Sequence, residues 1–238
     1  MKLLIDEKGR KYLLGEGKDL HCNYGMIRAK DIEKAGVGGL VESNKGRKFN
    51  VLEPDILDFI SKAKRGPQAM TLKDMGLISG YAGLESGSRV LEAGTGSGLL
   101  TMYLAHIVRP ADVITYEVRE DHARVARENF ERFGIGNVDS RIGDLYDGIG
   151  EEGLDAVLLD LTEPWRVVPH LEGSLRVGGR LVSYSPSINQ SRQLADVLEG
   201  YMHETFECIL RHWKADTMRP DTRMLGHTGF LTVARKLK

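Results

Sequence analysis

The sequence predicts an α/β protein in which a doubly wound, mainly parallel sheet follows a small β-rich N-terminal domain. After residue 88, short apolar runs alternate with helix-like stretches, which is typical of parallel strands joined by helical crossovers. One apolar run enters a glycine-rich turn that leads into a helix. The first 60 residues instead contain short strand-like runs separated by turn signals.

The N-terminal β-rich domain is predicted to span residues 1–64. Two short strands are predicted there, over residues 11–14 and 48–52, with glycine-containing turn signals between them. A short helix is expected over residues 55–64. The second domain, residues 65–238, contains the alternating strands and helices.

The sheet of the second domain is predicted to have seven strands, over residues 89–93, 113–117, 138–142, 154–159, 180–184, 205–213 and 229–235. The clearest helices are predicted over residues 72–82, 120–133 and 190–201. The last two strands are expected to form an antiparallel pair. The connection between them, residues 214–227, is long enough to indicate a function.

The most informative segment is Arg89-Val-Leu-Glu-Ala-Gly-Thr-Gly-Ser-Gly98. Its glycines, Gly94, Gly96 and Gly98, allow a tight turn and a close approach of a ligand to the backbone. The N–H groups at the start of the following helix favour an anionic or polar ligand group. The third glycine lies one residue earlier than in the dinucleotide pattern G-x-G-x-x-G, which disfavours a nicotinamide or flavin site. The segment resembles the glycine motif of S-adenosylmethionine-dependent methyltransferases.

Polar groups at the carboxyl ends of the predicted strands complete a candidate cofactor site, because ligands of doubly wound sheets bind there. We expect the backbone N–H groups of Ser97, Leu99 and Leu100 to face the methionine part of the cofactor. Glu117 ends the second strand, and its carboxylate is expected to accept hydrogen bonds from the ribose diol.

Two further residues are candidates for the adenine end of the cofactor. Asp144 is expected to accept a hydrogen bond from the adenine amino group, and His122 is expected to flank the ring. Each has an alternative interpretation. The alternative for Asp144 is a loop carboxylate that caps a turn, and His122 is more readily interpreted as an exposed polar residue in the first turn of a helix.

A second motif, Asp160-Leu-Thr-Glu-Pro-Trp165, follows the fourth strand. In many amino-methyltransferases this strand ends in an N/D-P-P-Y-like element that binds the target nitrogen. Here an acid, a proline and an aromatic residue occur in a different arrangement. Asp160 is predicted to lie where the methyl group is delivered. The alternative is a helix N-cap, with Pro164 near the first turn.

Taken together, five segments resemble the tRNA (adenine-N1)-methyltransferases that act on the T-loop, over nearly the whole chain. They are Arg65-Gly-Pro-Gln68, Leu91-Glu-Ala-Gly-Thr-Gly-Ser-Gly98, Asp160-Leu-Thr-Glu-Pro-Trp165, Ser185-Pro-Ser-Ile-Asn-Gln190 and Gly226-His-Thr-Gly-Phe230. The resemblance implies a seven-stranded Rossmann-like methyltransferase sheet and a homotetramer. It also implies methylation of N1 of adenine 58 in tRNA, with the neighbouring adenine 57 as a second target in archaeal members.

The resemblance also implies roles for individual residues. Asp160 is expected to be the catalytic residue and Gln68 a cofactor-binding residue, with S-adenosyl-L-homocysteine as the product and no metal. The residues expected to contact the substrate are Trp165, Tyr184, His227 and Arg219. His227 and Thr228 are candidates for the mouth of the active site, and the alternative for both is a polar turn before the last strand.

One position departs from the family pattern. After R-G-P-Q the family usually carries an aromatic or histidine residue that stacks near the target base, and this chain has Thr71 there. The candidates to take over the stacking on the target base are Tyr184, Trp165 and Met70. The sequence does not choose among them.

Charge is distributed unevenly although the net charge is only −1. Lys and Arg outnumber Asp and Glu by 14 to 10 in residues 1–66 and by 7 to 3 in residues 205–238, whereas residues 67–204 carry 12 against 21. Phosphate contacts need local positive charge, so both ends are candidate tRNA surfaces. Their basic residues are Arg10, Lys11, Arg47 and Lys48, and Arg211, Lys214, Arg219 and Arg223.

Composition excludes some other classes of protein. No apolar run approaches the roughly 20 residues of a membrane helix, and the N-terminus is charged too early for a signal peptide, so a cytoplasmic protein without a membrane partner is expected. Cys22 and Cys208 do not make a disulfide framework, although a bridge between subunits stays open. DNA is not an expected partner.

Two other functions stay open at this point. One is a methyltransferase that acts on a protein carboxyl group or a small molecule, which accounts for the glycine motif but not for the basic ends. The other is a non-catalytic tRNA-binding subunit. The intact glycine motif, Glu117 and Asp160 disfavour it.

Overall fold

The computed structural model describes residues 1–66 and 70–238, which divide into two units, Met1–Ala63 and Lys64–Lys238. The elements of the first unit are β1 (Lys2–Asp6), β2 (Lys11–Leu14), β3 (Leu20–Cys22), β4 (Gly25–Ile27), α1 (Ala29–Ala35), β5 (Leu40–Glu42), β6 (Lys48–Leu52) and α2 (Ile56–Lys62).

The first unit is built on a four-stranded antiparallel sheet in the order β2-β1-β6-β5, beside the β3–β4 hairpin. Its core is centred on Phe49, Leu4 and Val51, which are inaccessible to solvent. Helix α2 begins with a capping box, in which Asp55 accepts from the Asp58 backbone and Asp58 accepts from the Asp55 backbone. The sequence predicted β2 and β6 with these bounds but missed the other strands.

The second unit contains nine strands among the described residues, and the first seven of them are β7 (Val90–Ala93), β8 (Val113–Glu117), β9 (Val138–Ile142), β10 (Leu154–Leu159), β11 (Leu175–Ser185), β12 (Tyr201–Glu207) and β13 (Trp213–Lys214). The last two are β14 (Arg219–Pro220) and β15 (Phe230–Lys236). Its helices are α3 (Leu72–Tyr81), α4 (Leu99–Val108), α5 (Glu120–Phe133), α6 (Leu171–Ser174) and α7 (Ile188–Ala195). Short 3-10 turns lie at Leu145–Asp147, Pro164–Arg166 and Val168–His170.

The main sheet has seven strands in the order β12-β15-β11-β10-β7-β8-β9. The pairs from β11 to β9 are parallel, whereas β15 is antiparallel to both of its neighbours. The prediction of a doubly wound, mainly parallel sheet is therefore confirmed. Every residue of β7 is buried, as expected for a central strand covered on both faces.

The sequence misplaced the strand before the final connection. It predicted a strand over residues 205–213, but the strand runs from Tyr201 to Glu207, where seven successive residues pair with β15. Ile209 and Leu210, the apolar residues that extended the prediction, are both about half exposed. Helix α7 accordingly ends at Ala195 instead of residue 201.

Apolar side chains from both faces of the sheet hold the second unit together. One cluster includes Leu91, Val157 and Leu181 from three neighbouring strands, all fully buried. The strands that carry the predicted site residues are therefore anchored by close packing. In the part of the chain that the structure describes, no helix has the length and hydropathy needed to cross a membrane.

Candidate active site

The register of the parallel strands brings the predicted site residues to one edge of the sheet. Ala93 is level with Leu159 on one side and with Tyr116 on the other, and Leu159 is level with Ser183. The next residues along these strands therefore share the carboxyl edge. They are Gly94, Glu117, Asp160 and Tyr184.

Gly94 lets two of these strands meet closely. Its N–H donates to the Tyr116 carbonyl at 3.0 Å, while the Asp160 N–H donates to the Ala93 carbonyl at 2.9 Å. The φ angle of Gly94 is +91°, and a Cβ atom there would collide with the backbone carbonyl of Asp160. Glycine is required because both the backbone conformation and the space exclude a side chain.

Helix α4 begins without a side-chain cap. Gly98 is its N-cap residue with a φ of +77°, and a Cβ atom there would lie 2.6 Å from the Phe130 ring. The first N–H groups of a helix, here at Leu99 and Leu100, have no acceptor within the helix. These groups and the positive end of the helix dipole favour a polar or negatively charged ligand group.

Glu117 is buried and engages the glycine loop directly. Its Oε2 atom accepts from the Gly96 N–H at 2.9 Å, and Oε1 accepts from the Arg119 N–H at 3.0 Å. His122, in the first turn of α5, places Nδ1 4.0 Å from Oε2 of Glu117. The structure therefore brings these two predicted residues together.

Asp144 lies two residues beyond β9 and is exposed. Its Oδ1 accepts from the Tyr146 N–H at 2.9 Å and caps the 3-10 turn Leu145–Asp147. The capping contact that the sequence offered as an alternative is therefore present.

Asp160 is exposed at the end of β10. The protein atoms around its carboxyl group exclude part of the water, and together with the nearby Glu117 carboxylate this raises the pKa of Asp160 to about 6. The following 3-10 turn has Glu163 as its N-cap residue, so Asp160 is not the helix cap of the alternative interpretation.

The predicted substrate-contacting residues occupy different places. Tyr184 donates its hydroxyl to the Thr228 carbonyl at 2.6 Å, and Trp165 packs partly buried against the apolar core of the second unit. His227 contacts Glu207 Oε2 at 3.0 Å, which raises the pKa of the exposed imidazole. Arg219 lies in the small β13–β14 hairpin, level with Lys214.

Gln68, the remaining predicted cofactor residue, lies outside the described residues. Ser97 is held through its backbone, because Asn129 donates its Nδ2 to the Ser97 carbonyl at 2.9 Å. Asn129 is fully buried and also binds the backbone of Lys64. The sequence analysis missed Asn129, although an amide on the buried face of an amphipathic helix is a signal for such a contact.

Glu92 is the second residue that the sequence analysis left without a role. Its side chain is buried, and its Oε2 accepts from the Thr101 hydroxyl at 2.6 Å and from the Thr115 hydroxyl at 2.9 Å. Burial raises the pKa of Glu92 to about 7, and the nearby Asp160 and Glu117 carboxylates also raise it. The hydrogen bonds from the two hydroxyls act in the opposite direction and lower the pKa. In the sequence, the position of Glu92 two residues before Gly94 was the signal that could have identified it as a buried residue near the site.

Comparison with known proteins identifies the family of the chain. The family model described as tRNA methyltransferase complex GCD14 subunit matches residues 62–221. The chain belongs to this family. The resemblance inferred from the motifs is therefore confirmed.

Individual relatives align with this chain over almost their full length. The chain is 38% identical over 268 residues to the tRNA (adenine(57)-N(1)/adenine(58)-N(1))-methyltransferase TrmI of Methanocaldococcus jannaschii, with 98% of this chain and 94% of that protein covered. It is 33% identical over 246 residues to the tRNA (adenine(58)-N(1))-methyltransferase TrmI of Thermus thermophilus, with 99% and 96% covered.

Solved structures give the same fold. The crystal structure of the tRNA (m1A58) methyltransferase TrmI from Aquifex aeolicus superimposes with a TM-score of 0.80 at 30% identity, with 100% of this chain and 96% of that chain covered. A structure from Thermotoga maritima described as an S-adenosylmethionine-dependent O-methyltransferase gives a TM-score of 0.89 at 29% identity, with 100% and 92% covered.

Substitution of Gly94 tests how closely the two strands must meet. Gly94→Ala should lower the free energy of unfolding by about 1–3 kcal/mol more than Gly96→Ala, because a Cβ atom at position 94 would lie 2.3 Å from the Asp160 carbonyl oxygen, whereas one at position 96 would make only an ordinary contact at 3.9 Å. Both glycines have a positive φ, so Gly96→Ala is the control for backbone strain. Urea unfolding without ligand measures the difference, and equal losses would contradict the steric account.

The buried carboxyl of Glu92 predicts a pH dependence of stability. Because its pKa is about 7 in the folded protein and 4.5 in the reference state, the stabilisation is complete below pH 4.5 and is lost as the pH rises to 7. Glu92→Gln should therefore gain up to about 3 kcal/mol relative to wild type between these limits. Urea unfolding at pH 4.5, 6 and 8 measures this gain, and a difference that is independent of pH would exclude it.

Proposed function

We propose that this protein is a tRNA (adenine-N1)-methyltransferase that modifies adenine 58 of the T-loop, with S-adenosylmethionine as methyl donor. The observation that carries the proposal is the full-length similarity to relatives with this activity, combined with Asp160 at the carboxyl edge beside the glycine loop. Adenine 57 is the second position to test, because the Methanocaldococcus jannaschii relative is named for both.

The residues at the glycine loop fit S-adenosylmethionine. The loop turns at Gly94, Gly96 and Gly98, which all have a positive φ and carry no side chain, and α4 leaves its first N–H groups without a side-chain cap. Glu117 is suited to accept from a ribose diol. Val118 and Ile142 are apolar yet more than half exposed beside Glu117 and Asp144, where an adenine ring would cover them. When bound, the cofactor supplies an electrophilic methyl group on a sulfonium sulfur.

The proposed role of Asp160 is to orient the target adenine. Adenine N1 carries an in-plane lone pair, so no covalent nucleophile from the protein is needed, and alignment is the main requirement. A carboxylate that accepts from the N6 amino group would hold the base and stabilise the positive charge that methylation creates. Above its pKa of about 6, Asp160 is ionised for this role.

The proposed substrate contacts lie on the other side of Asp160. Tyr184 is its neighbour on β11, and His227 and Arg219 follow in the connection before β15. Adenine 58 lies inside the folded tRNA elbow, so it must be extruded at a cost of a few kcal/mol that pocket contacts repay. Trp165 and Tyr184 are both partly buried, Trp165 against the apolar core of the second unit.

We further propose that the protein acts as a cytoplasmic homotetramer, as the family resemblance implies. Native mass spectrometry would then give four times the chain mass of 26.5 kDa. A monomer at micromolar concentration would remove this part of the proposal without affecting the enzymatic activity.

Labelled methyl transfer to unmodified tRNA transcripts tests the activity and the position. The wild-type transcript should yield labelled N1-methyladenosine, and a transcript with adenine 58 replaced by guanine should lose the label at that position. A transcript with only adenine 57 replaced serves as the matched control. No transfer to any transcript, with cofactor binding intact, would overturn the proposal and favour another acceptor, such as a carboxyl group.

Substitution of Asp160 tests its proposed role. Asp160→Asn should reduce the single-turnover rate about 100-fold or more, because the charge that faces the developing cation is lost. Cofactor affinity, measured by calorimetry, should stay within about threefold, since the Gly94 backbone contacts are unchanged. Near-wild-type turnover in this variant would remove Asp160 from the mechanism.

A further inference from the structure

A buried ion pair lies at the start of helix α3, outside the residues assigned above. Asp74 is 1% exposed, and its Oδ1 atom lies 2.5 Å from Nζ of Lys73. The Lys73 side chain is itself only 10% exposed. The Thr71 hydroxyl donates to Oδ2 of Asp74 at 2.8 Å, so both carboxylate oxygens are engaged.

The ion pair holds one residue from a distant part of the chain. The Thr228 hydroxyl accepts from Lys73 Nζ at 2.9 Å and donates to Asp74 Oδ1 at 3.2 Å. Thr228 thus joins the start of α3 to the segment that leads into β15, more than 150 residues later. A side-chain hydroxyl that acts as both donor and acceptor is needed for this bridge.

The same segment lies against Tyr184. The Thr228 carbonyl accepts from the Tyr184 hydroxyl at 2.6 Å. At the next residue, Gly229, a Cβ atom would lie 2.5 Å from Cζ of the Tyr184 ring, so the backbone rests directly on the ring. Burial, together with the charge of Asp74, raises the pKa of Tyr184 to about 12, so the hydroxyl stays a donor.

Tyr184 in turn stands beside Asp160. The strand register places Ser183 level with Leu159, so Tyr184 and Asp160 are the next residues on neighbouring parallel strands. We propose that Lys73, Asp74 and Thr228 form a positioning unit that holds Tyr184 beside Asp160 and thereby sets the placement of the target adenine. This inference rests on the proposed function.

The cost of burying charge supports a positioning role over a purely stabilising one. A buried ion pair is weak evidence for stability, because desolvation offsets most of the attraction. What the pair does supply is direction, since Lys73 and Asp74 together determine where the Thr228 hydroxyl lies. Thr71, where the family usually has an aromatic or histidine residue, contributes to this unit and also caps α3.

Thr228→Val tests the unit without removing either charge. The substitution keeps the shape of the side chain but deletes the hydroxyl that Lys73 and Asp74 hold. The backbone carbonyl that accepts from Tyr184 is still present, but it is no longer anchored to the start of α3. The single-turnover rate at saturating tRNA and cofactor should fall about tenfold, as expected when a group at the reacting centre is displaced. Thr228→Ser, which retains the hydroxyl, should restore the rate to within about twofold of wild type.

A control variant distinguishes a positioning role from a general loss of stability. Thr205→Val removes a hydroxyl that contacts Thr232 at 2.9 Å on β15, and its rate should stay at the wild-type level. In Thr228→Val, the cofactor dissociation constant and melting temperature should remain close to those of wild type. If the rate, cofactor affinity and melting temperature fall together, the role is structural and the inference fails.

A double-mutant cycle tests whether Thr228 acts through Tyr184. Tyr184→Phe should cost much less rate in the Thr228→Val background than in wild type, because the two changes break one connection. Multiplicative effects of the two changes would overturn the inference. A wild-type protein that transfers no methyl group to tRNA would instead overturn the proposed function, so the two failures are distinguishable.

Discussion

The close approach of β7 and β10 at Gly94 is the constraint on which the rest of the site depends. Gly94 can follow its path only because it lacks a side chain. Its N–H donates to the Tyr116 carbonyl, and the Asp160 N–H donates to the carbonyl of the preceding residue, Ala93. The catalytic candidate and the glycine loop are therefore positioned by the same pair of strands. Movement of either strand would displace both.

Three carboxyl groups lie near this edge of the sheet, and each has a different environment. Glu92 is buried with two threonine hydroxyls, and Glu117 accepts from backbone N–H groups. Asp160 belongs to an exposed residue, but the surrounding protein excludes part of the water from its carboxyl group. Burial and mutual repulsion raise the pKa of Glu92 to about 7 and that of Asp160 to about 6. A cationic ligand relieves this repulsion, which suits a site for a sulfonium group and for an adenine that becomes positively charged.

The sequence predicted that several candidate residues would meet at the carboxyl edge of the sheet, as the strand register places them. The glycine loop, Glu117 and Asp160 could be found because strand ends and glycine spacing are visible in the chain. The positioning unit could not, because Asp74 and Thr228 meet only after the whole sheet has formed. The strand at Tyr201–Glu207 was misplaced for a similar reason, since its bounds are set by pairing with β15 instead of by its own apolar residues.

The position of β15 in the sheet determines when the sheet can be completed during synthesis. Strand β15 is the last in the chain, yet it lies between β11 and β12. The glycine loop and the strands around it are synthesised first, and local pairing favours their early folding. Thr228 and Gly229 reach Tyr184 only when β15 is inserted. On the ribosome, the nascent chain therefore contains the complete glycine loop before the segment that packs on Tyr184 has been synthesised.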